Sequence, residues 1–335
     1  MPETDFSKTG VPAASIRHNV MLSSLSRWRI GGAADVVMTP RDESDLAAIL
    51  RYIKAAAVPH VIIGDGSNLL FDDAGFRGVI VHIGRSFGGC DISPDDATIA
   101  AGAGFWVPSL VRHSVNAGLA GIIHAIGIPG TLGGLVVMNG GSQRKGIGDH
   151  VVAVEAMDYE GRLHRLEKAD LGFAYRRSVL QDGGLVVTRV LLQLTPGDAV
   201  ALRREAISIM AARRAKFPKV RANCGSVFVS DPKLYALMGP PGEAIEKAGL
   251  KGLRMNGAQI SPEHANFIVN NGGAHSEDVL RLIHEARARV AEASGIWMEA
   301  EVRHVRPDGV IRPAHISAAE LTASLSSDDR CPAPL

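Results

Sequence analysis

The stretch GDGSNLLFDD, residues 64–73, follows a short apolar run at residues 61–63 and decides how the start of the chain folds. Its two glycines stand two apart, so the backbone can bend sharply and approach a ligand closely. The exposed N–H groups of such a loop, together with Ser67 and Asn68, are suited to an anion such as a phosphate or pyrophosphate. The alternative is a tight connection between two strands, which two glycines alone would also explain.

A second glycine-rich stretch, GIPGTLGG at residues 127–134, is followed by Asn139-Gly140-Gly141. Its apolar neighbours predict dry surroundings. Two such loops in one α/β region suit a long dinucleotide better than a single phosphate. The Rossmann signature G-x-G-x-x-G, opening a helix, is absent from both stretches. The sequence therefore predicts a dinucleotide site that is not of the Rossmann type.

Composition excludes several classes of protein. The 335 residues are 46% apolar and 21% charged, which is typical of a globular chain of two or three domains. A formal net charge of +1 and only 5% aromatic residues argue against a nucleic-acid partner. Residues 117–140 are almost uncharged, but their glycines and Pro129 predict a buried loop-rich segment instead of a membrane-spanning helix.

Cysteine usage and the N-terminus predict a reducing, cytoplasmic setting. Cys90, Cys224 and Cys331 are far apart, so neither a disulfide framework nor a structural metal site is expected. Cys224 is expected to be a small buried filler, with a thiol nucleophile as the alternative. The first ten residues carry acids and no apolar core, so they do not form a signal peptide.

Helices and strands alternate between a flexible lead-in at residues 1–18 and a disordered tail at residues 314–335. Apolar spacing predicts helices over residues 42–57, 107–115, 202–216 and 276–295, the last with Ser276 as its N-cap. Apolar runs predict strands over residues 60–63, 79–83, 98–101, 151–158 and 185–194. A shift in composition after Pro196-Gly197 marks the best candidate for a domain boundary.

Several polar motifs admit both a functional and a structural interpretation. Arg176, in the segment Tyr175–Ser178, can pair with a carboxylate through two parallel hydrogen bonds or belong to an exposed arginine pair. Ser226 follows a glycine but lacks the hydrolase elbow G-x-S-x-G, so a turn serine is the alternative. Glu299 and Glu301 would share one face of a strand, or lie solvated at its edge.

The segment from Asn256 to Asn270 can present Gln259, His264 and Asn266 from a turn and a strand. One histidine without converging carboxylates does not predict a metal site there.

Taken in order, these segments resemble the UDP-N-acetylenolpyruvoylglucosamine reductase (UDP-N-acetylmuramate dehydrogenase) family. The matching pieces span about residues 27–304 and are WRIGGAADV, GDGSNLL, GLAGIIHAIGIPGTLGG with NGG, YRRS, GSVF, EKAGLKG, NGAQISPEHANFIVN and MEAEVR. The short connection after YRRS resembles the class of the family without the tyrosine-bearing substrate loop.

The resemblance implies an α+β protein with the FAD-binding fold of the vanillyl-alcohol-oxidase/PCMH type. Two α/β FAD-binding subdomains are expected over residues 19–84 and 85–196, and a third, substrate-binding α/β domain over residues 197–313. GDGSN and IGIPGTLGG are expected to be the loops beside the pyrophosphate and the isoalloxazine of FAD.

The resemblance also implies a reduction in two half-reactions, in which NADPH reduces non-covalently bound FAD and hydride then adds to an enolpyruvyl double bond. The negative charge left on the neighbouring carbon must be stabilised and protonated. By matching motif positions, Arg176 and Glu301 are expected to polarise the substrate carboxylate, and Ser226 to donate the proton.

Further site residues follow from the same resemblance. The expected cofactor-binding residues are Gly64, Asp65, Gly66, Ser67, Asn68, Leu69, Gly127, Ile128, Pro129, Gly130, Thr131, Gly133, Gly134 and Asn139. The expected substrate-binding residues are Tyr175, Gln259 and Ser230. The expected partner is a small nucleotide sugar, with no nucleic acid, metal or membrane insertion, and the protein is expected to be a monomer.

Three departures from the family pattern leave the substrate open. Val229-Ser230-Asp231 stands where the family commonly has a cation and an amide, Arg177 where an acid is frequent, and residues 142–145 are more basic than usual. The alternatives are a paralogue that reduces a different enoyl acid and a non-catalytic flavin-binding module.

Overall fold

The fold is known from a computed structural model, which describes residues 9–328. The chain divides into two compact units. The first contains the residues up to Asn19, together with Asp35–Asp65 and Gly78–Ala215. The second contains Val20–Ala34, Gly66–Arg77 and the residues from Lys216 onward.

Helices and strands alternate along the described chain, as the apolar spacing predicts. The helices are α1 (Glu43–Ala55), α2 (Val107–Asn116), α3 (Leu132–Val137), α4 (Ala199–Lys216), α5 (Pro232–Met238), α6 (Pro241–Lys247), α7 (Ser276–Ser294) and α8 (Ala314–Asp328). The strands are β1 (Ile16–Met21), β2 (Ala33–Met38), β3 (His60–Ile63), β4 (Leu69–Phe71), β5 (Phe76–His82), β6 (Cys90–Ser93), β7 (Thr98–Gly102), β8 (Leu119–Ala120), β9 (Val151–Asp158), β10 (Leu163–Glu167), β11 (Leu185–Gln193), β12 (Thr195–Pro196), β13 (Arg254–Met255), β14 (Ala258–Ile260), β15 (Ile268–Asn270), β16 (Arg303–Val305) and β17 (Ile311–Pro313).

The first unit is built on two sheets. One has the order β1-β2-β5-β3, with most of its residues in this unit, and β3 runs parallel to β5. The other is an antiparallel sheet of order β10-β9-β11-β7-β6. Asp42 is the N-cap of helix α1, and its carboxylate accepts the N–H of Asp45 at 2.9 Å. The helix buries Leu46, Ile49 and Leu50 in the core of this unit. This core fixes the end of β3, from which the first glycine-rich loop leaves.

The second unit packs helices against two three-stranded sheets, β13-β14-β15 and β17-β16-β4. Helix α7 buries the apolar face that its sequence spacing predicts, and Ala314 and Ala318 of α8 join the same core. Trp28 is fully buried there, and its indole N–H donates to the carbonyl of Ile268 at 2.7 Å. The segment 20–34 is thereby fixed to the residues that follow position 216.

Four details differ from the sequence predictions. Residues 314–328 form α8 in place of a disordered tail, because Ala314 and Ala318 are buried against the core. The expected lead-in includes the start of β1 at Ile16. The N-cap of α7 is His275, because the Ser276 hydroxyl bonds to Asp73 instead. Segments 20–34 and 66–77, expected in the first FAD-binding subdomain, cluster with the second unit.

The remaining boundaries of the three predicted domains stay predictions. Residues 1–8 of the expected lead-in and residues 329–335 of the expected tail, including Cys331, lie outside the described residues.

Candidate functional site

The first unit brings the two glycine-rich stretches into contact. Gly64 directly follows β3, and Thr131 directly precedes α3. A β-carbon on Gly64 would stand 2.1 Å from Thr131 Oγ1 and 3.3 Å from Thr131 Cβ. Only a residue without a side chain fits at position 64, so the sharp exit from β3 and the second loop are fitted to each other.

Backbone hydrogen bonds hold the second stretch against its neighbours. The N–H of Leu132 donates to the carbonyl of Phe105 at 2.9 Å, and that of Gly133 to the carbonyl of Ala103 at 2.8 Å. A β-carbon on Gly134, by contrast, would meet only Thr131 Oγ1 within 4 Å, at 3.6 Å, and Gly134 is exposed. The loop therefore has a fixed side toward the core and an open side that a ligand can approach.

Arg213 of α4 lies against the start of this stretch. Its guanidinium donates to the carbonyl of Gly127 at 2.8 Å, and a β-carbon on Gly127 would stand 2.2 Å from Arg213 Nε. Burial lowers the pKa of the Arg213 guanidinium from its usual value. The sequence predicts a basic helix here, but nothing local indicates that one of its arginines reaches a loop 86 residues earlier.

Arg176 lies at the third position of a tight turn. The N–H of Arg177 donates to the carbonyl of Ala174 at 3.0 Å, and Arg176 has a φ of 56°, as a type II turn requires at that position. The Arg176 guanidinium donates to the carbonyl of Gly141 at 2.9 Å and lies over the ring of Tyr175, 5.1 Å from its centroid. A left-handed arginine is strained, and such strain is concentrated at functional sites.

Asn139 ties this turn to the loop at residues 140–148. Its amide donates to the carbonyl of Ala174 at 2.8 Å, and its side-chain oxygen accepts the N–H of Gly148 at 2.9 Å. Asn139 itself has a φ of 41°. The side chain therefore supports the backbone around Arg176, and its contact with a cofactor stays a prediction.

Ser226 is presented from a sharp bend in the second unit. Gly225 before it has a φ of 79°, and its N–H donates to the side-chain oxygen of Asn223 at 3.0 Å. Ser226 is exposed, whereas Val227 and Phe228 after it are buried. Cys224 before the bend is buried in the core of this unit, which confirms its prediction as a small filler.

Glu301 lies beside Ser226 in the backbone of the same unit. The N–H of Glu301 donates to the carbonyl of Val227 at 2.8 Å, and the N–H of Val229 donates to the carbonyl of Glu299 at 3.0 Å. The strand predicted to carry both glutamates is only an isolated bridge between Phe228 and Ala300, since β16 begins at Arg303. Two residues 75 positions apart in the sequence thus lie on adjoining backbone segments.

The second half of GDGSNLL joins the same backbone. The Asn68 amide donates to the carbonyl of Glu301 at 3.1 Å, and the carbonyl of Asn68 accepts the N–H of Arg303 at 3.0 Å. Gly66 has a φ of 58°, and a β-carbon there would stand 2.1 Å from the carbonyl oxygen of Leu25. Asn68, expected at the cofactor, therefore also holds the segment that carries Glu301.

The three residues expected at the substrate have different surroundings. Tyr175 is 58% exposed, and Ser230 is exposed directly before Asp231, the N-cap of α5. Gln259 is only 8% exposed, and its carboxamide donates to the carbonyl of Gly252 and accepts from the amide of Asn271. The two hydrogen bonds give Gln259 a structural role, and its contact with the substrate stays a prediction.

The ring of His264 packs with those of Phe217 and Phe267, and its centroid lies 5.5 Å and 4.9 Å from theirs. Burial, together with the charge of Lys216, lowers the pKa of His264 to about 4. The neutral ring can then accept the N–H of Asn266 on Nδ1, at 3.3 Å.

This low pKa predicts a pH-dependent stability. Unfolded His264 binds a proton near pH 6.5, so its contribution is complete above that pH and is lost as the pH falls toward 4. Between pH 7 and pH 5 we expect a loss of about 1 to 2 kcal/mol from this partly exposed ring. Urea unfolding at both pH values should show the loss in wild type. His264→Asn, which keeps a hydrogen-bond acceptor but does not titrate, should lose less, and an equal loss in both proteins would contradict the assignment.

Two kinds of feature are absent from residues 9–328. No group of three His, Cys, Asp or Glu side chains among them could hold a metal ion. None of the helices described there is long and apolar enough to cross a bilayer.

Known proteins resemble this chain over both units. Residues 217–305 match the C-terminal domain of UDP-N-acetylenolpyruvoylglucosamine reductase, and residues 34–167 match an FAD-binding domain. A UDP-N-acetylenolpyruvoylglucosamine reductase 1 of Corynebacterium glutamicum is 48% identical over 90% of this chain and 89% of its own. A reductase of Heliobacterium modesticaldum is 43% identical over 86% of this chain and 90% of its own.

A solved structure agrees with these sequence matches. The UDP-N-acetylenolpyruvylglucosamine reductase of Thermus caldophilus has a TM-score of 0.72 and 34% identity, and covers 86% of this chain and 99% of its own. Together with the FAD-binding domain match, it confirms the fold class predicted from the sequence. The chain belongs to the UDP-N-acetylenolpyruvoylglucosamine reductase family.

Proposed function

We propose that this chain reduces the enolpyruvyl group of UDP-N-acetylglucosamine enolpyruvate to give UDP-N-acetylmuramate, a step of peptidoglycan precursor synthesis. FAD is its bound cofactor and NADPH its hydride-donating co-substrate. The names of relatives that match nine-tenths of the chain support this function over the reduction of another enoyl acid. A cytoplasmic location and a monomeric state, both expected from the sequence, belong to the same proposal.

The observation that carries the proposal is the position of Ser226. Ser226 is exposed and follows the Gly225 bend, and the carbonyl of the next residue, Val227, accepts the N–H of Glu301 at 2.8 Å. A proton donor and an acid that matches the family's carboxylate-polarising residue therefore lie on adjoining segments of one unit. A serine that served only in a turn would not need to lie next to the segment that carries Glu301.

The glycine-rich loops fit FAD. Position 64 has no room for a β-carbon beside Thr131, whereas Gly134 leaves its backbone open. Gly64, Asp65 and the stretch 127–134 would hold the cofactor in the first unit, and residues 66–69 are expected contacts in the second. When bound, FAD supplies hydride chemistry, from NADPH to the enolpyruvyl double bond.

The protein's own groups then act on the substrate. Hydride addition at one alkene carbon leaves negative charge on its neighbour, shared with the substrate carboxylate. Arg176 and Glu301 polarise that carboxylate and so stabilise the charge. Ser226 gives its hydroxyl proton to the carbon that carries the charge, which completes the lactyl ether.

Purified protein loaded with FAD should oxidise NADPH when UDP-N-acetylglucosamine enolpyruvate is added, and the product should be two hydrogens heavier. UDP-N-acetylglucosamine, which lacks the double bond, is the control and should cause no turnover. NADPH oxidation with another enoyl acid but not with the UDP substrate would replace this function with that of a paralogue. Flavin binding without any turnover would leave only a binding module.

A further inference from the structure

Asn266 is a buried residue of the segment between β14 and β15, and it bonds to the segment that follows Ser226. It is 7% exposed. Its side-chain oxygen accepts the N–H of Phe228 at 2.9 Å, and its side-chain amide donates to the carbonyl of Phe228 at 3.0 Å. Its own backbone carbonyl accepts the N–H of Val227 at 2.8 Å. Asn266 thus makes three hydrogen bonds to the backbone of two consecutive residues, Val227 and Phe228.

These bonds replace a sheet that the segment lacks. The paired bonds of the carboxamide with Phe228 have the form of a hydrogen-bonded pair in an antiparallel ladder. Around Phe228 the described backbone forms only the isolated bridge to Ala300. An isolated bridge is not supported by neighbouring pairs of strand residues. The side chain of Asn266 therefore supplies the hydrogen bonds that a second neighbouring strand would otherwise make with Phe228.

Val227 also connects Asn266 to the segment that carries Glu301. Val227 donates its N–H to Asn266 and accepts the N–H of Glu301 on its carbonyl, at 2.8 Å in both cases. Ser226 directly precedes this junction. A displacement of Asn266 would therefore move Ser226 and Glu301 together.

The backbone of Asn266 is fixed in turn. Its N–H donates to His264 Nδ1 at 3.3 Å, and the neighbouring residues Ala265 and Phe267 are 4% and 6% exposed. The carboxamide accepts the N–H and donates to the carbonyl of one buried residue, Phe228, so any other side-chain rotamer of Asn266 would leave these two backbone groups without their bonds.

We propose that Asn266 is a positioning residue for the reduction of the enolpyruvyl group, which holds the proton donor Ser226 and the acid Glu301 in register. This inference rests on the proposed function, since it takes the roles of Ser226 and Glu301 from there. The carboxamide of Asn266 is engaged with the backbone of Phe228. Its effect is on geometry, and a misplacement of about 1 Å can slow a reaction about 100-fold.

Asn270 provides a matched control in β15. It also uses both ends of its carboxamide, accepting the N–H of Gly272 at 2.8 Å and donating to the carbonyl of Trp28 at 2.9 Å. It makes none of the contacts with Val227 or Phe228. Asn266→Ala and Asn270→Ala should therefore cost similar stability, while only the first disturbs the segment after Ser226.

The two half-reactions of the FAD-loaded enzyme separate positioning from general damage. Asn266→Ala should leave flavin reduction by NADPH unchanged and slow flavin reoxidation by the UDP substrate about 10- to 100-fold. Asn270→Ala should change neither rate more than about twofold. Equal slowing of both half-reactions by Asn266→Ala, or equal slowing by the two variants, would overturn the proposal.

Asn266→Asp adds a readout that a merely structural role would not produce. The introduced carboxyl, when protonated, can accept from the Phe228 N–H and donate to the Phe228 carbonyl, as the amide does, but when ionised it cannot donate. The reoxidation rate of this variant, relative to wild type, should therefore rise as the pH is lowered. A ratio that stays constant with pH would count against the paired bond.

Amide hydrogen exchange tests the positioning independently of the reaction. In Asn266→Ala, peptides covering residues 225–229 and 299–303 should exchange faster than in wild type, and in Asn270→Ala they should not. Unchanged exchange at both segments would overturn the proposal. The two proposals can fail separately. If the wild-type enzyme did not turn over the UDP substrate, but Asn266→Ala alone still exchanged faster at these segments, the proposed function would be overturned. Asn266 would then remain the residue that holds the two segments.

Discussion

Ser226→Ala is expected to leave flavin reduction by NADPH at the wild-type rate and to slow flavin reoxidation by UDP-N-acetylglucosamine enolpyruvate about 10²- to 10⁴-fold. The range is that of a positioned general acid. The hydroxyl is the group proposed to protonate the substrate carbon, and the NADPH half-reaction requires no such proton. Anaerobic stopped-flow absorbance of the flavin, with each substrate mixed separately, measures both rates.

Two further variants define what the hydroxyl contributes. Ser226→Cys keeps an ionisable hydrogen at nearly the same place and should recover part of the lost rate. Ser294→Ala removes a hydroxyl at the end of α7 that donates to the carbonyl of Val290 and accepts the N–H of Ile296, and it should leave both rates unchanged. If Ser226→Ala slowed the two half-reactions equally, Ser226 would not be the proton donor.

Short-range patterns in the sequence account for most of the helices and strands. Strands β3 and β9 have the predicted bounds, 60–63 and 151–158, because apolar runs between turn residues are local signals. The buried face of α7 follows from its 3.6-residue spacing. The N-cap of that helix did not follow, because the Ser276 hydroxyl is engaged by Asp73, 203 residues earlier.

Some features of the candidate site can likewise be predicted from neighbouring residues, whereas others depend on residues far away in the sequence. The sequence predicts a sharp turn at Gly64, because this glycine directly follows an apolar run. It does not predict that Thr131 is the residue packed against Gly64. The link from Asn266 to Phe228 spans 38 residues and that from Arg213 to Gly127 spans 86. An asparagine in a polar turn has many local partners to choose from, and only the packed chain determines which one it bonds.

The helix α8 shows why composition alone can mislead at the end of a chain. Its serines and alanines are short and weakly apolar, which is typical of a disordered tail. Ala314 and Ala318 nevertheless lie fully buried in the core of the second unit, the same core that contains Leu282 and Ile283 of α7. Small residues permit close helix packing, and this gain is not visible in a hydropathy pattern.

Gly64→Val is expected to weaken FAD binding about 100-fold or more. Even a β-carbon at this position would stand 2.1 Å from Thr131 Oγ1, and valine adds two methyl groups to it. Overpacking of this kind costs about 3 kcal/mol at the upper end of its usual range, which corresponds to about 150-fold in a dissociation constant. The two loops proposed to hold the cofactor must then separate. Fluorescence titration of the FAD-free protein with FAD measures the effect.

The contact between the two loops can be tested by a double-mutant cycle. Thr131→Ala removes the hydroxyl and methyl groups that face position 64, so Gly64→Ala should weaken FAD binding less in that background than in wild type. Gly89→Val is the control within the same unit, because a β-carbon at Gly89 has no atom within 4 Å. Additive effects of Gly64→Ala and Thr131→Ala, or equal losses in Gly64→Val and Gly89→Val, would show that the packing of Gly64 on Thr131 does not shape the cofactor site.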